Sequence, residues 1–398
     1  MRHTTLLPLP LGMPANRTPT SFSSTSTTPW GGLAWPRLFA ALSLAFRPGR
    51  VFLAFVLAIA LWAAAAFPAI WLHDSPTPLQ HAFELGGPAI DRLVDSFFHI
   101  ELVSVAESLR YLVIDLPGKV VAQQPWSTVA TLLLGIIAWT ILGGAIVRST
   151  ATEFAIRKRL STRESAFFAL SKVRSSAGAM LAPILIVALL AMILRGFGAI
   201  AAGSSFGGGV VALAFGLALV LALAAVLTFL GFLLGFPLLL AAVVCEGTDA
   251  IDALQRAYAY VLGRPVRLAW YSLVFYAQLA LVSCVSVVLA MCTTAFAIRW
   301  TFAPDTSDRL SHVTTFARDA HMAWMLLLFA LAASFALSFF HAGSAVLYLL
   351  LRQVNDGQDP ADLWQAGHAE AARAKMAHVD ADDTSNGTQN AHDEGDDV

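Results

Sequence analysis

The chain has 398 residues, of which 57% are hydrophobic and 13% charged; its mean hydropathy is +0.68 and its formal net charge is −1 at pH 7. An ordinary soluble domain carries about 25% charged residues, so most of this chain belongs in lipid. Near-neutrality also excludes the global basic field of a nucleic-acid-binding protein, and no nucleic-acid partner is expected.

Residues 1–34 are rich in Ser, Thr and Pro and lack the apolar core of a signal peptide, so a disordered cytoplasmic tail is expected there. A bilayer core of about 30 Å takes about 20 apolar residues per helix, because each backbone polar group must be satisfied within its own segment. Six runs meet that requirement, at about 51–72, 127–147, 177–194, 210–234, 268–297 and 322–351. The expected fold class is therefore all-α, a polytopic membrane protein with six transmembrane helices over 35–352. Residues 73–126 form an outer amphipathic segment. Residues 353–398 form a cytoplasmic acidic tail, a short helix from Asp359 and Pro360 followed by disorder.

Between the third and fourth runs, the Gly-rich stretch RGFGAIAAGSSFGGG is the natural place for an outer turn. The fourth run continues through Gly235 and Pro237, where a tilt or break is expected. With the N-terminus inside, 18 of the 25 Lys and Arg residues fall on the inner side. The positive-inside rule then places both termini in the cytoplasm.

The stretch VVCEGTDAIDALQRAYAYVLGRP, Val243 to Pro265, lies on that inner side between the fourth and fifth runs. Asp249 with Asp252 resembles a capping box, and Ile251, Leu254, Tyr258, Val261 and Leu262 share one helical face. Gly263 ends the helix, and Asp252 can pair with Arg256 four residues on. The pattern predicts an amphipathic helix in the plane of the headgroups. The device recurs. Ser161 and Glu164 make a capping box before SAFFALSK, which aligns with DAIDALQR at an offset of 84 residues, and LFAALSLAF precedes the first run. The chain reads as three units of surface helix, outward span and returning span.

The run GFPLLLAAVVCEGTDAIDALQRAYAYVLGRPVRLAWY, with GGAIVRSTATEFAIRKRLSTRESAFFAL upstream, resembles a family of uncharacterised bacterial inner-membrane proteins that carry the same acidic-to-RP segment. The layout is also similar to the six-helix membrane domain fused to some bacterial glycerophosphodiester phosphodiesterases. The first resemblance implies a bacterial inner-membrane location and no assigned activity. The second implies an architecture and no catalytic residues, since no soluble phosphodiesterase barrel is present.

Catalytic signatures fail on context. GSSFG, Gly203 to Gly207, matches GxSxG but lacks the strand that a nucleophile elbow requires. His81, Asp95, His99 and Glu101 sit among amphipathic patterns that a solvated face explains. The three cysteines, Cys245, Cys284 and Cys292, read as small packing residues. No catalytic residue, metal or cofactor is expected.

Ser334, Ser338, His341, Ser344 and Tyr348 line one side of the sixth run, and Ser272, Tyr276, Ser283, Ser286 and Thr294 form a similar stripe on the fifth. Helix packing and a polar path both account for them. Two functions follow. The first is a non-catalytic scaffold or lipid-associated protein whose partner is membrane lipid, with headgroup contacts at Arg157, Lys158, Arg159, Arg264 and Arg267. The alternative is a small-solute or lipid permease. Its path would run between the fifth and sixth runs through His341, Ser338, Ser334, Ser344 and Ser286, with Glu246, Asp249, Asp252 and Arg256 at its inner mouth.

Overall fold

The computed structural model describes residues 34–73, 76–301 and 315–364, and every regular element among them is helical. Six helices are long and apolar enough to cross a membrane: Pro48–Leu72, Pro125–Ile156, Val173–Gly203, Phe215–Glu246, Pro265–Trp300 and Ala320–Asp356. Each is longer than its apolar run, because polar ends continue the backbone hydrogen bonding beyond the hydrocarbon. The expected N-terminal tail and most of the expected tail helix lie outside the described residues. From Asp359 to Trp364 the chain is a turn rather than a helix, with Asp359 Oδ1 accepting from the Ala361 N–H at 2.9 Å.

A short 3₁₀ turn, Trp35–Phe39, leads into α1 (Ala40–Ala45) and then α2 (Pro48–Leu72), the first span. The segment that follows is α3 (Pro78–Phe98), α4 (Leu102–Arg110) and α5 (Leu116–Gln123). The second span is α6 (Pro125–Ala138), a π-helical turn at Trp139–Gly143, and α7 (Gly144–Ile156). Next come α8 (Thr162–Ser171), α9 (Val173–Gly203), α10 (Ser205–Leu213), α11 (Phe215–Glu246), α12 (Ala250–Gly263), α13 (Pro265–Thr301) and α14 (Thr315–Asp356).

The last helix, α14, is the hub and packs against α1, α2, α7, α11 and α13. Its segment from Ala345 to Leu351 is fully buried, as is Leu238 to Cys245 of α11 apart from 3% exposure at Leu240. The dense core thus sits at the end of the bundle that also carries residues 34–47, α8, α12 and 357–364. Farther along, α9 and α11 present Leu185, Leu189, Met192, Leu217, Val220 and Leu223 outward. Acyl chains solvate such side chains as well as protein does.

Three local expectations change. The Gly-rich stretch after Arg195 is largely helical, and the breaks between the third and fourth spans narrow to Ala214 and Ser204, whose Oγ accepts from the Gly207 N–H at 2.9 Å. A helix closes its backbone bonds internally, which glycine permits and an apolar setting rewards. Of the tilt or break expected at Pro237, the break does not occur, because α11 runs on to Glu246. A proline removes one N–H, and the packing of Leu238 to Cys245 holds the helix through that gap. On α12 the packed face is Ala253, Ala257, Tyr260 and Val261, while Ile251 and Leu262 are exposed. Ala253 and Ala257 allow a close approach to α9 and α11, while Ile251 and Leu262 point away from the bundle.

The Ser161 capping box forms as predicted: Glu164 N–H donates to Ser161 Oγ at 3.2 Å, and Ser161 N–H donates to Glu164 Oε2 at 3.0 Å. The Ser161 N–H holds the Glu164 carboxyl below the usual carboxylate range. A depressed folded-state pKa contributes stability above the unfolded value of about 4.3 and loses it as pH falls through the folded one. The first turn of α8 is therefore expected to fray as pH drops from about 5 toward 3, while changing little between 6 and 8. Hydrogen exchange at the amides of Glu164 and Ser165, corrected for intrinsic rates, measures this.

Candidate functional site

The charged residues of the packed end form two assemblies around two carboxylates. Glu153 is the first centre. Arg50 Nη2 pairs with it at 2.8 Å, Arg159 Nε lies at 3.4 Å, and Arg47 forms a third ion pair. Arg50 has a 5% exposed side chain, and it also donates to Ser149 Oγ at 2.8 Å, to Ser149 O at 2.8 Å and to Leu44 O at 2.5 Å. The last carbonyl of α1, Ala45 O, accepts from Ser338 Oγ at 2.6 Å. The buried arginine thus does structural work, capping α1 and tying it to the second span.

Above Arg50 lies a cavity of about 560 Å³ lined by Arg37, Ala40, Ser43, Leu44, Arg47, Glu153, Phe154, Arg157 and Arg159. A second hollow of about 140 Å³ shares Arg47, Glu153 and Arg159 with it. Four arginines face one carboxylate that is already engaged. Arg37 Nη1 donates to Gln353 Oε1 at 3.0 Å, and its guanidinium lies 5.5 Å from the Phe154 ring centre. Arg47 Nε is buried with no hydrogen-bond partner. Arg157 ends α7 in the left-handed region, at φ 55°, and its guanidinium has no ion-pair partner among the described residues. A non-glycine side chain there is strained by roughly 1–2 kcal/mol.

The second centre is Glu246, whose side chain is 8% exposed. Arg256 Nη1 pairs with it at 2.5 Å, Arg352 Nη1 lies at 3.7 Å, and the Tyr348 hydroxyl donates to it. Burial pulls the Arg256 guanidinium down, but Glu246, Tyr348, Tyr260 and Asp356 together hold its pKa above the ordinary value. Tyr260 Oη donates to Asp356 Oδ2 at 2.5 Å; burial first, and this bond second, push the phenol well above its ordinary range. Arg352 Nη2 donates at 2.8 Å to both Asp359 O and Asp362 O.

The turn that Arg352 holds brings Trp364 over the end of α11. Trp364 N–H donates to Cys245 O at 3.0 Å, Arg148 bridges Val244 O and Trp364 O at 3.2 and 2.7 Å, and Lys172 Nζ reaches Gly247 O at 2.5 Å. Gly247 has φ +65°, and an added Cβ would meet the Trp364 ring at 2.7 Å, so both the backbone and the close approach require glycine. Two of the carbonyls that α11 leaves open, Val244 O and Cys245 O, are thereby filled.

The predicted residues distribute as follows. Arg157 and Arg159 line the cavity with Arg37 and Arg47, while Lys158 is exposed and Arg264 and Arg267 line neither cavity. Arg267 instead donates to Val354 O at 3.3 Å. Glu246 and Arg256 come together, but Asp252 does not pair with Arg256, because the buried Glu246 carboxylate is the stronger partner. Asp249 occupies the N-cap of α12 without a side-chain hydrogen bond.

His341, Ser334, Ser338 and Ser344 are all buried on α14. Ser334 and Ser344 donate to carbonyls of their own helix, Leu331 O and Phe340 O, each at 2.7 Å, and Ser286 on α13 donates to Ser283 O at 3.0 Å. His341 faces the second span rather than the fifth, with its ring centre 4.5 Å from that of Trp139. An added Cβ at Gly143 would overlap the imidazole, and neither ring nitrogen has a hydrogen-bond partner. The neighbour of the fifth span is Gly343, whose added Cβ would meet Phe275 Cε2 at 2.6 Å.

Arg37, Arg47, Arg50 and Glu153 were not singled out by sequence. The basic excess before the first span was the one available signal, and nothing local tied it to Glu153, about a hundred residues later. No protein-family model, curated protein or solved structure matches the chain.

Proposed function

We propose that the chain is a non-catalytic integral protein of a bacterial inner membrane that associates with anionic lipid through its basic, terminus-bearing end, held on the cytoplasmic side. The observation that carries this reading is the cationic excess around Glu153, where arginines from the N-terminal segment and from the loop after the second span meet at the rim of the bundle. Each Lys or Arg near an anionic surface contributes on the order of 1 kcal/mol. The exposed Ile251 and Leu262 support an α12 whose outer side rests in the headgroup boundary. The buried hydroxyls of the fifth and sixth spans mostly bond to carbonyls of their own helices, which favours packing over a permeation path.

The test is the lipid retained by purified protein equilibrated with equal phosphatidylglycerol and phosphatidylcholine. Wild type is expected to enrich the anionic lipid, and the triple change of Arg157, Lys158 and Arg159 to Ala is expected to lose most of that enrichment. Equal retention of both lipids by wild type would remove this reading.

A further inference from the structure

We infer that the cavity bounded by Arg37, Arg47, Arg157 and Arg159 is a binding site for one phosphate group, monoester or diester. The lipid-associated reading is needed only to name the source of that phosphate as a phospholipid headgroup. Three independent features support the site itself.

The first is room. A volume of about 560 Å³ lies within the roughly 300–1,000 Å³ of ligand pockets, and the Arg159 side chain at its mouth is 74% exposed, so the cavity is accessible.

The second is unspent charge. Glu153 is the lone carboxylate of the lining and already serves Arg50, Arg47 and Arg159, whereas Arg157 has no ion-pair partner among the described residues and Arg47 Nε is buried without an acceptor. A buried donor without an acceptor is costly and calls for one. Guanidinium groups give planar, paired N–H donors that match phosphate oxygens, a geometry lysine cannot offer. The lining is also two-sided, since Ala40, Leu44 and Phe154 supply apolar contact beside the arginines, as a glycerol ester or its acyl stem needs.

The third is strain. A helix end with φ 55° is the place for glycine, yet the residue is Arg157. Strain retained next to an accessible cavity is the pattern of a binding position.

The experiment compares the detergent-purified full chain with Arg157→Gly, Arg159→Gln, the double variant and Arg264→Gln. Native mass spectrometry reads binding of short-chain phosphatidylglycerol and phosphatidylcholine; calorimetry reads binding of glycerol 3-phosphate and inorganic phosphate. Arg157→Gly is expected to melt no lower than wild type, because glycine accepts the left-handed backbone, while binding the phosphate ligand more weakly. The double variant is expected to lose roughly tenfold or more in affinity, and Arg264→Gln to stay within about twofold.

Lipid binding lost in the double variant supports the site with a headgroup as its source. Binding of glycerol 3-phosphate lost in the double variant, with no preference for anionic lipid, supports the site with a soluble source and sinks the lipid reading. Anionic-lipid preference that the double variant retains in full, or binding of none of the four ligands by wild type, overturns the site.

Discussion

Glu153→Ala is expected to lower the unfolding free energy by about 3–5 kcal/mol, because it strands the Arg50 guanidinium in a site where only 5% of that side chain is exposed. Arg50 would keep its bonds to Ser149 and Leu44, which sets the loss toward the lower end of that range. Arg47→Ala removes a partner that is 36% exposed, and the expected cost is below about 1 kcal/mol. The double change Arg50→Leu with Glu153→Leu should recover much of the loss, since an apolar pair of similar volume needs no compensating charge. Thermal unfolding in detergent, followed by circular dichroism, reads all three. Equal costs for Glu153→Ala and Arg47→Ala would show that Arg50 is not held as described.

Gly143→Ala is expected to cost about 1–3 kcal/mol, the usual range for overpacking, since its new methyl falls on the His341 ring, which is fully buried against the rings of Trp139 and Phe340. His341→Ala alone leaves a cavity and is also expected to destabilise. Combined, the two should cost less than the sum of the singles, because the methyl at 143 partly fills the space left by the imidazole. Additive costs would indicate that the two positions are not in contact.

The capping box at Ser161 and the identity of the spans are legible because each rests on neighbours in sequence. The failures have the opposite character. Spacing lets Asp252 pair with Arg256, but a buried carboxylate ten residues upstream of Arg256 takes that cation. Hydropathy puts Ile251, Leu254, Tyr258, Val261 and Leu262 on one face of α12, but Val261 packs inward with Ala253, Ala257 and Tyr260 while Ile251 and Leu262 are exposed. The permease alternative needs His341 between the fifth and sixth spans, and it faces the second.

Composition and the length of the apolar runs by themselves determined a six-helix membrane fold, because a backbone without water must bond to itself and a bilayer has one thickness. Tertiary structure alone decided which charges meet. The arginine cavity draws on residues from 37 to 159, and the cap over the fourth span joins Cys245 to Trp364. Coulomb attraction and hydrogen bonding act through space over a few ångströms, whereas the sequence orders only neighbours along the chain, so these sites came into view once the helices were packed.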